Sequence, residues 1–130
     1  MKLRIRGNTV RLRLSRGEID ALARDGHVED AVEFGPSAGE RLVYRIEAKG
    51  EASHPTATFA HGGIVITLPA TVAVEWARSD RVGVEGEQPV GDGKSLRILV
   101  EKDFACLQPR AGEDDTDAFA NPSGSAKFSG

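Results

Sequence analysis

The stretch KLRIRGNTVRLRL, residues 2–14, decides how the chain begins to fold. Charged and apolar residues alternate with a period of two on both sides of Gly7 and Asn8, a pattern typical of two strands joined by a tight turn. Because successive side chains of a strand point to opposite faces, we predict a β-hairpin with an apolar face and a cationic face. The apolar residues are Leu3, Ile5, Val10, Leu12 and Leu14. The cations, here called the basic face, are Lys2, Arg4, Arg6, Arg11 and Arg13.

The segment after this hairpin predicts a helix over residues 16–25. Ser15 can serve as the N-cap, and Glu18, three residues later, completes a capping box. Gly26 can adopt the left-handed conformation that commonly ends a helix.

Six further segments have the alternation or composition of strands, and turn residues separate them: HVEDAVEF, RLVYRIEA, TATFA, GIVITLP, VGVEG and SLRILVEKDF. The segment PATVAVEWARSD fits either a short helix started by Pro69 or a continuing strand, and we favour the helix, near 70–78. No internal repeat is evident. We therefore expect one α+β domain over residues 1–110, with a single, mainly antiparallel sheet of six to eight strands and one clear helix.

Residues 111–130 have no periodic apolar face. An acidic run comes first, followed by residues rich in glycine, serine and proline, so we expect a partly disordered tail. The acidic run consists of Glu113, Asp114, Asp115 and Asp117.

Composition argues against several classes of protein. The formal net charge is −3, from 17 basic and 20 acidic residues, whereas nucleic-acid affinity comes mainly from an excess of cations. No apolar run approaches the length of a membrane span, and the first ten residues lack the apolar core of a secretory signal. With a single cysteine, no internal disulfide can form. We expect a cytoplasmic protein that binds neither nucleic acid nor membrane, and the oligomeric state stays open.

Familiar cofactor and metal motifs are not matched. GDGKS at 91–95 lacks the first glycine of a phosphate-binding loop and precedes a strand instead of a helix, so a simple turn between strands explains it better. The three histidines, His27, His54 and His61, do not have the spacing of zinc ligands. We expect no cofactor and no metal.

Two functional hypotheses follow from the remaining residues. In the first, the basic face binds an anionic ligand or an acidic partner segment, since arginine side chains on a strand can present several donors to phosphate or carboxylate groups. A merely solvated outer face, or docking of the chain's own acidic run, would also explain these cations. In the second hypothesis, the chain is a small enzyme that uses Glu101, Asp103 and Cys106 on a phosphorylated or otherwise anionic substrate.

The segment EKDFACL, residues 101–107, bears on that choice. Continued alternation from Leu96, Ile98 and Val100 predicts that Phe104 and Cys106 turn inward, while Glu101 and Asp103 lie on the opposite, polar side. Cys106 would then be a small buried residue with an unactivated thiol.

Three stretches together resemble a family of short, uncharacterised bacterial proteins: MKLRIRGNTVRLRLS, Trp76 with the nearby SDRVGVEG, and LRILVEKDFACLQPR with EDDTDAFANP. The likeness spans nearly the whole chain, and the EKDFxCL segment looks like the family's hallmark. The resemblance implies a soluble, stand-alone domain and assigns no activity to any residue. We therefore favour a small, non-enzymatic binding or accessory domain.

Overall fold

The computed structural model describes residues 1–51 and 53–104. Cys106 and the predicted tail at 111–130 lie outside the described residues. The described chain contains eight strands and two α-helices in the following order: β1 (Lys2–Arg6), β2 (Thr9–Leu14), α1 (Arg16–Asp25), β3 (His27–Glu33), a 3₁₀ turn (Ala38–Glu40), β4 (Arg41–Ala48), β5 (Thr56–Ala60), β6 (Gly63–Leu68), α2 (Ala70–Arg78), β7 (Gly83–Gly91) and β8 (Lys94–Lys102).

Local signals place most of these elements. α1 begins with the predicted capping box, in which the Glu18 amide donates to Ser15 Oγ and the Ser15 amide donates to Glu18 Oε1. It ends where Gly26 adopts a φ of 87°, a conformation that costs little for glycine. The segment GDGKS forms the tight turn between β7 and β8, with positive φ at both Asp92 and Gly93.

The prediction of a single sheet with one clear helix is wrong. The strands form two four-stranded sheets, ordered β1-β2-β8-β7 and β3-β4-β6-β5, and a second helix is present. The centre of each sheet is a parallel pair, β2 with β8 and β4 with β6. Alternation along a strand defines its two faces but not its neighbours, and these parallel pairs join segments that are far apart in sequence.

The topology reveals an internal repeat that the sequence does not show. Residues 2–48 and 56–102 both fold as hairpin, helix, hairpin. Each sheet combines the first hairpin of one unit with the second hairpin of the other. The parallel registers are equivalent, because Leu12 pairs with Val100 and Ile66 pairs with Ile46, a constant shift of 54 residues. The two units are therefore related by approximate two-fold symmetry in pairing.

Both sheets and both helices contribute to one hydrophobic core. Its residues recur at the same shift of 54 positions, as the following buried pairs show: Leu12 and Ile66, Leu14 and Leu68, Ile19 and Ala73, Leu22 and Trp76, Tyr44 and Ile98, Ile46 and Val100. Burial of Ala73 and Trp76 on one side of the segment explains why residues 70–78 form a helix and not a strand.

The symmetry breaks at the sheet edges. Gln88 of β7 contacts the edge of β5, where its side chain accepts from the Ala57 amide at 2.9 Å and donates to the Ala57 carbonyl at 2.8 Å. In the first unit Leu3 of β1 takes the place of Ala57, since each lies opposite an equivalent core residue. Val32 of β3 takes the place of Gln88 of β7, because Val32 pairs with Leu42 and Gln88 pairs with Leu96, the equivalent residue 54 positions later. Because valine has no hydrogen-bonding side-chain atom, only the β5 edge is closed in this way.

Replacing Gln88 tests this closure. We expect Gln88→Ala to lower the free energy of unfolding by about 1–2 kcal/mol, because two hydrogen bonds to the backbone are lost. Hydrogen exchange at the Ala57 amide should accelerate at the same time. Glu87→Ala, which changes the exposed neighbouring residue, is the control and should stay within about 0.5 kcal/mol of wild type in urea unfolding. An unchanged Ala57 exchange rate in the Gln88 variant would contradict the assignment.

Candidate anion-binding face

The register of the first hairpin brings the five predicted cations to one side of its sheet. Lys2 lies opposite Arg13, Arg4 opposite Arg11, and Arg6 opposite Thr9. Like charges directly opposite one another on two strands are unfavourable unless other groups compensate them. The identity of those other groups therefore determines which cations remain available.

Two carboxylates compensate one end of the basic face. Glu101 of β8 lies 3.5 Å from Arg11 and 3.6 Å from Arg13, each measured between its Oε1 and the arginine Nε. Asp103 Oδ2 lies 2.9 Å from Lys2 Nζ. The parallel pairing of β2 with β8, which places Arg13 opposite Glu101, brings these acids to the hairpin.

The other end of the basic face, at the hairpin turn, keeps its positive charge. Among the described residues, neither Arg4 nor Arg6 has a carboxylate within ion-pair distance, and both side chains are exposed. Together with Arg11 they line a shallow, open depression of about 470 Å³ formed around Gly7, Asn8 and Thr9. Asn8 holds the turn against β8 by donating to the Ser95 carbonyl at 2.7 Å. This end of the face can accept an anion.

The internal repeat shows that the fold itself does not require these cations. The equivalent positions of the second hairpin, shifted by 54 residues, carry no charge: Thr56, Thr58, Ala60, Val65 and Thr67. The acid at the equivalent of Glu101 is retained as Glu47, which pairs with Arg45 at 2.6 Å. The cations are thus a property of the first hairpin alone.

Of the three proposed catalytic residues, Glu101 and Asp103 lie within the described chain and Cys106 does not. Glu101 and Asp103 lie on the basic face, in contact with Arg11, Arg13 and Lys2. Asp103 also borders a separate depression of about 550 Å³ beside α1 and the end of α2, which Glu101 does not line.

The inward orientation predicted for Phe104 is wrong. β8 ends at Lys102, and Phe104 is 60% exposed, because the chain leaves the sheet before the alternation can continue. Lys102 remains at the rim, where its Nζ donates to the Ser79 carbonyl at 2.6 Å. Ile5, predicted to face the core, is 58% exposed because β1 is an edge strand.

Sequence reasoning missed two features, one beside the basic face and one in the core of the other sheet. Arg97 of β8 lies opposite Thr9 and pairs with Glu85 at 3.5 Å, so it extends the row of cations; the alternation in SLRILV was the signal that could have found it. Tyr44 is buried in the core, and its burial, followed by the nearby charge of Asp30, raises the pKa of its hydroxyl. No sequence pattern distinguished Tyr44 from an ordinary core residue.

The described parts of the chain contain neither a group of side chains suited to a metal ion nor a helix suited to span a membrane. Within residues 1–51 and 53–104, no three histidine, cysteine, aspartate or glutamate side chains are grouped closely enough to hold a metal ion. Neither described helix is long and apolar enough to cross a bilayer.

Comparison with known proteins gives a family but no activity. Neither the curated proteins nor the solved structures include a match to this chain. A family model does match, and it covers residues 1–123, which include both hairpin-helix-hairpin units and the acidic run. The chain belongs to this family, which is described as a family of unknown function, DUF7009.

Proposed function

We propose that this chain is a small, non-enzymatic binding domain whose basic face takes an anionic ligand at the hairpin turn. The observation that carries the proposal is the uneven compensation of charge. Glu101 and Asp103 contact the cations at one end of the face, whereas no carboxylate of residues 1–51 or 53–104 pairs with Arg4 or Arg6 at the other end. A surface that served only for solubility would not require cations opposite one another on neighbouring strands.

The spacing of the three arginines that line the depression suggests the ligand's chemistry. Arg4 and Arg6 are two residues apart on one strand, a separation of about 7 Å, and Arg11 lies about 5 Å across from Arg4. Guanidinium groups bind phosphate and carboxylate oxygens with paired hydrogen bonds. A ligand with several linked anionic groups, such as a short polyphosphate, can contact all three side chains together.

The enzyme alternative has weaker support. A general acid or base works best with an environment that adjusts its protonation and with access to the substrate. Glu101 and Asp103 instead each contact cations of the basic face. Cys106 lies beyond the described residues, so its role stays a prediction.

Two further proposals concern the EKDFxCL segment and the location of the protein in the cell. We propose that EKDFxCL is a shared segment of the family in bacteria; the family match supports this because it spans residues 101–107. We also propose a cytoplasmic location, which the single cysteine favours.

Titration with tripolyphosphate tests the proposed function. We expect saturable amide shifts centred on residues 4–11, and about fivefold weaker binding in Arg4→Gln and in Arg6→Gln, equivalent to about 1 kcal/mol for one exposed charge contact. Affinity should fall steeply as salt is added. Arg41→Gln removes an exposed arginine from β4 of the other sheet and is the control for net charge.

Three results would count against the proposal. Shifts centred on Gly91–Lys94 would place the ligand at the other turn. Equal weakening by Arg41→Gln would indicate a nonspecific charge effect. Absence of saturation at low salt would mean that the basic face holds no anion.

A further inference from the structure

The outer face of the sheet β1-β2-β8-β7 carries opposite charges on its two edge strands. On β1 this face has Arg4 and Arg6, which lie opposite outward-facing residues of β2. On β7 it has Glu85 and Glu87, because these residues alternate with Val84, which is buried in the core. Three strand spacings, about 14 Å, separate the two edge strands. The face is therefore cationic along one edge and acidic along the other.

The register of the strands arranges these charges in rows across the sheet. Two neighbouring rows, followed from β1 to β7, are Arg4, Arg11, Leu99 and Glu85, and then Arg6, Thr9, Arg97 and Glu87. Each row begins with an arginine and ends with a glutamate. The order of charge is thus the same at two successive levels along the strands.

Both ends of these rows keep exposed charge. Within residues 1–51 and 53–104, no carboxylate pairs with Arg4 or Arg6, and no cation pairs with Glu87. Glu85 contacts Arg97 at 3.5 Å, and both of these side chains are more than half exposed. The arginines of β1 and the glutamates of β7 are too far apart on one sheet to pair with each other. A surface with the reverse order of charge would complement both edges at once.

A second copy of the same face has the reverse order when it is turned about an axis parallel to the strands. This rotation lays β1 of one copy over β7 of the other and keeps each row at its own level. Arg4 then faces Glu85 of the second copy, and Arg6 faces Glu87 of the second copy. Because the arrangement has two-fold symmetry, each contact occurs twice. Stacked sheets lie about 10 Å apart, a gap that long side chains extending from both sheets can bridge.

Other arrangements of two copies lack this complementarity. An axis that runs across the strands would lay β1 over β1 of the second copy, and the arginines would repel one another. The sheet β3-β4-β6-β5 does not have the pattern either. The outward residues of its edge strand β5 are uncharged, namely Thr56, Thr58 and Ala60.

We propose that the outer face of the sheet β1-β2-β8-β7 is an interface between two copies of this chain, in which Arg4 and Arg6 pair with Glu85 and Glu87 of the second copy. The face is four strands wide, about 19 Å, which is small for a protein interface. Because its contacts are charged, the dimer is weak and sensitive to salt. The dimer covers the cations at the hairpin turn, so it competes with an anionic ligand. Its formation does not depend on that ligand.

Sedimentation velocity of the full chain, in low-salt buffer without phosphate, tests the interface. We expect the average mass to rise toward twice that of the monomer as protein concentration increases into the millimolar range. At high salt, where exposed charges are screened, the chain should be monomeric. Tripolyphosphate should dissociate the dimer more effectively than sodium chloride at the same ionic strength, because it binds the arginines of the interface.

Exchanging the charges of the two edges gives the sharpest test. The acidic-face variant carries Arg4→Glu and Arg6→Glu, and the basic-face variant carries Glu85→Arg and Glu87→Arg. Each variant alone should be monomeric, because like charges meet across its interface. Mixed in equal amounts, the two should associate at least as tightly as the wild type, since every contact then joins opposite charges. If the double variants fold poorly, the single substitutions Arg6→Glu and Glu87→Arg provide the same test with a smaller effect.

A matched variant controls for general charge attraction. Arg41→Glu with Arg78→Glu makes the same change in net charge at exposed residues of β4 and α2, outside this face. The basic-face variant, labelled with a fluorophore, should bind the acidic-face variant at least tenfold more tightly than it binds this control.

Several outcomes would overturn the inference. A wild type that stays monomeric at low salt and high concentration would show that the face does not join two copies. A dimer that persists in both face variants would use another surface. An absence of association in the mixture, or equal binding of the control, would rule out the proposed pairing. Failure of the proposed function has a separate signature, because the dimer would then form at low salt while tripolyphosphate neither dissociates it nor gives saturable shifts.

Discussion

Trp76→Ala is expected to reduce the free energy of unfolding by about 3–5 kcal/mol. Trp76 is fully buried in the shared core, and it occupies on α2 the position equivalent to Leu22 of α1. Its removal leaves a large cavity. It also leaves the Val82 carbonyl without the hydrogen bond that Trp76 Nε1 donates at 3.2 Å. Small domains have only about 5–15 kcal/mol in total, so this loss brings the variant close to unfolding.

Urea unfolding followed by far-ultraviolet circular dichroism measures this effect, because the variant has lost the only tryptophan of the chain. Trp76→Leu provides a second measurement if the alanine variant fails to fold. Its free energy of unfolding should fall by less than that of Trp76→Ala, because leucine fills part of the cavity that alanine leaves. Val74→Ala on the same helix is the control, since Val74 is 38% exposed and should cost less than about 1 kcal/mol. Equal losses at Val74 and Trp76 would show that α2 does not pack as described.

The same helix illustrates what the sequence could predict. Capping residues, turn glycines and alternation are local signals, and they placed α1 and the hairpins. The arrangement of the sheets depends on pairs such as Leu12 with Val100, which local patterns cannot specify. The sequence did not reveal the repeat, because equivalent core positions need only be apolar and can differ in residue type. Of the six buried pairs, only Leu14 and Leu68 are the same residue type.

The candidate site was predictable to a similar extent. A period of two was enough to place Arg4 and Arg11 on one side of a hairpin. It could not show that Glu101 would lie beside Arg11 and Arg13, because that contact depends on the long-range pairing of β2 with β8. The sequence therefore suggested two separate sites, a basic hairpin and an acidic strand end, where the structure has one surface.

The charge of Glu101 controls how much of that surface is available. We expect Glu101→Lys to tighten tripolyphosphate binding more than tenfold at low salt. The substitution releases Arg11 and Arg13 from their shared carboxylate and adds a cation between them, a change of two charges on one face. Glu101→Gln, which only releases the arginines, should give a smaller gain. The gains should shrink as salt rises, because exposed charges are screened over about 10 Å at 0.1 M.

The repeat supplies a control in which the charge change is identical. Glu47→Lys alters the equivalent residue of the other sheet, where the neighbouring hairpin has Thr58 and Ala60 in place of Arg4 and Arg6. If the basic face is the anion site, Glu47→Lys should change affinity less than twofold. Although Glu47 pairs with Arg45 and Lys49, Arg45 keeps its second partner Glu29, and the positions equivalent to Arg4 and Arg6 carry no charge. Isothermal titration of the two variants at matched ionic strength separates the possibilities. Equal tightening would mean that net charge, not the geometry around Arg4, Arg6 and Arg11, governs binding; weaker binding by Glu101→Lys would make the carboxylate itself part of the ligand contact.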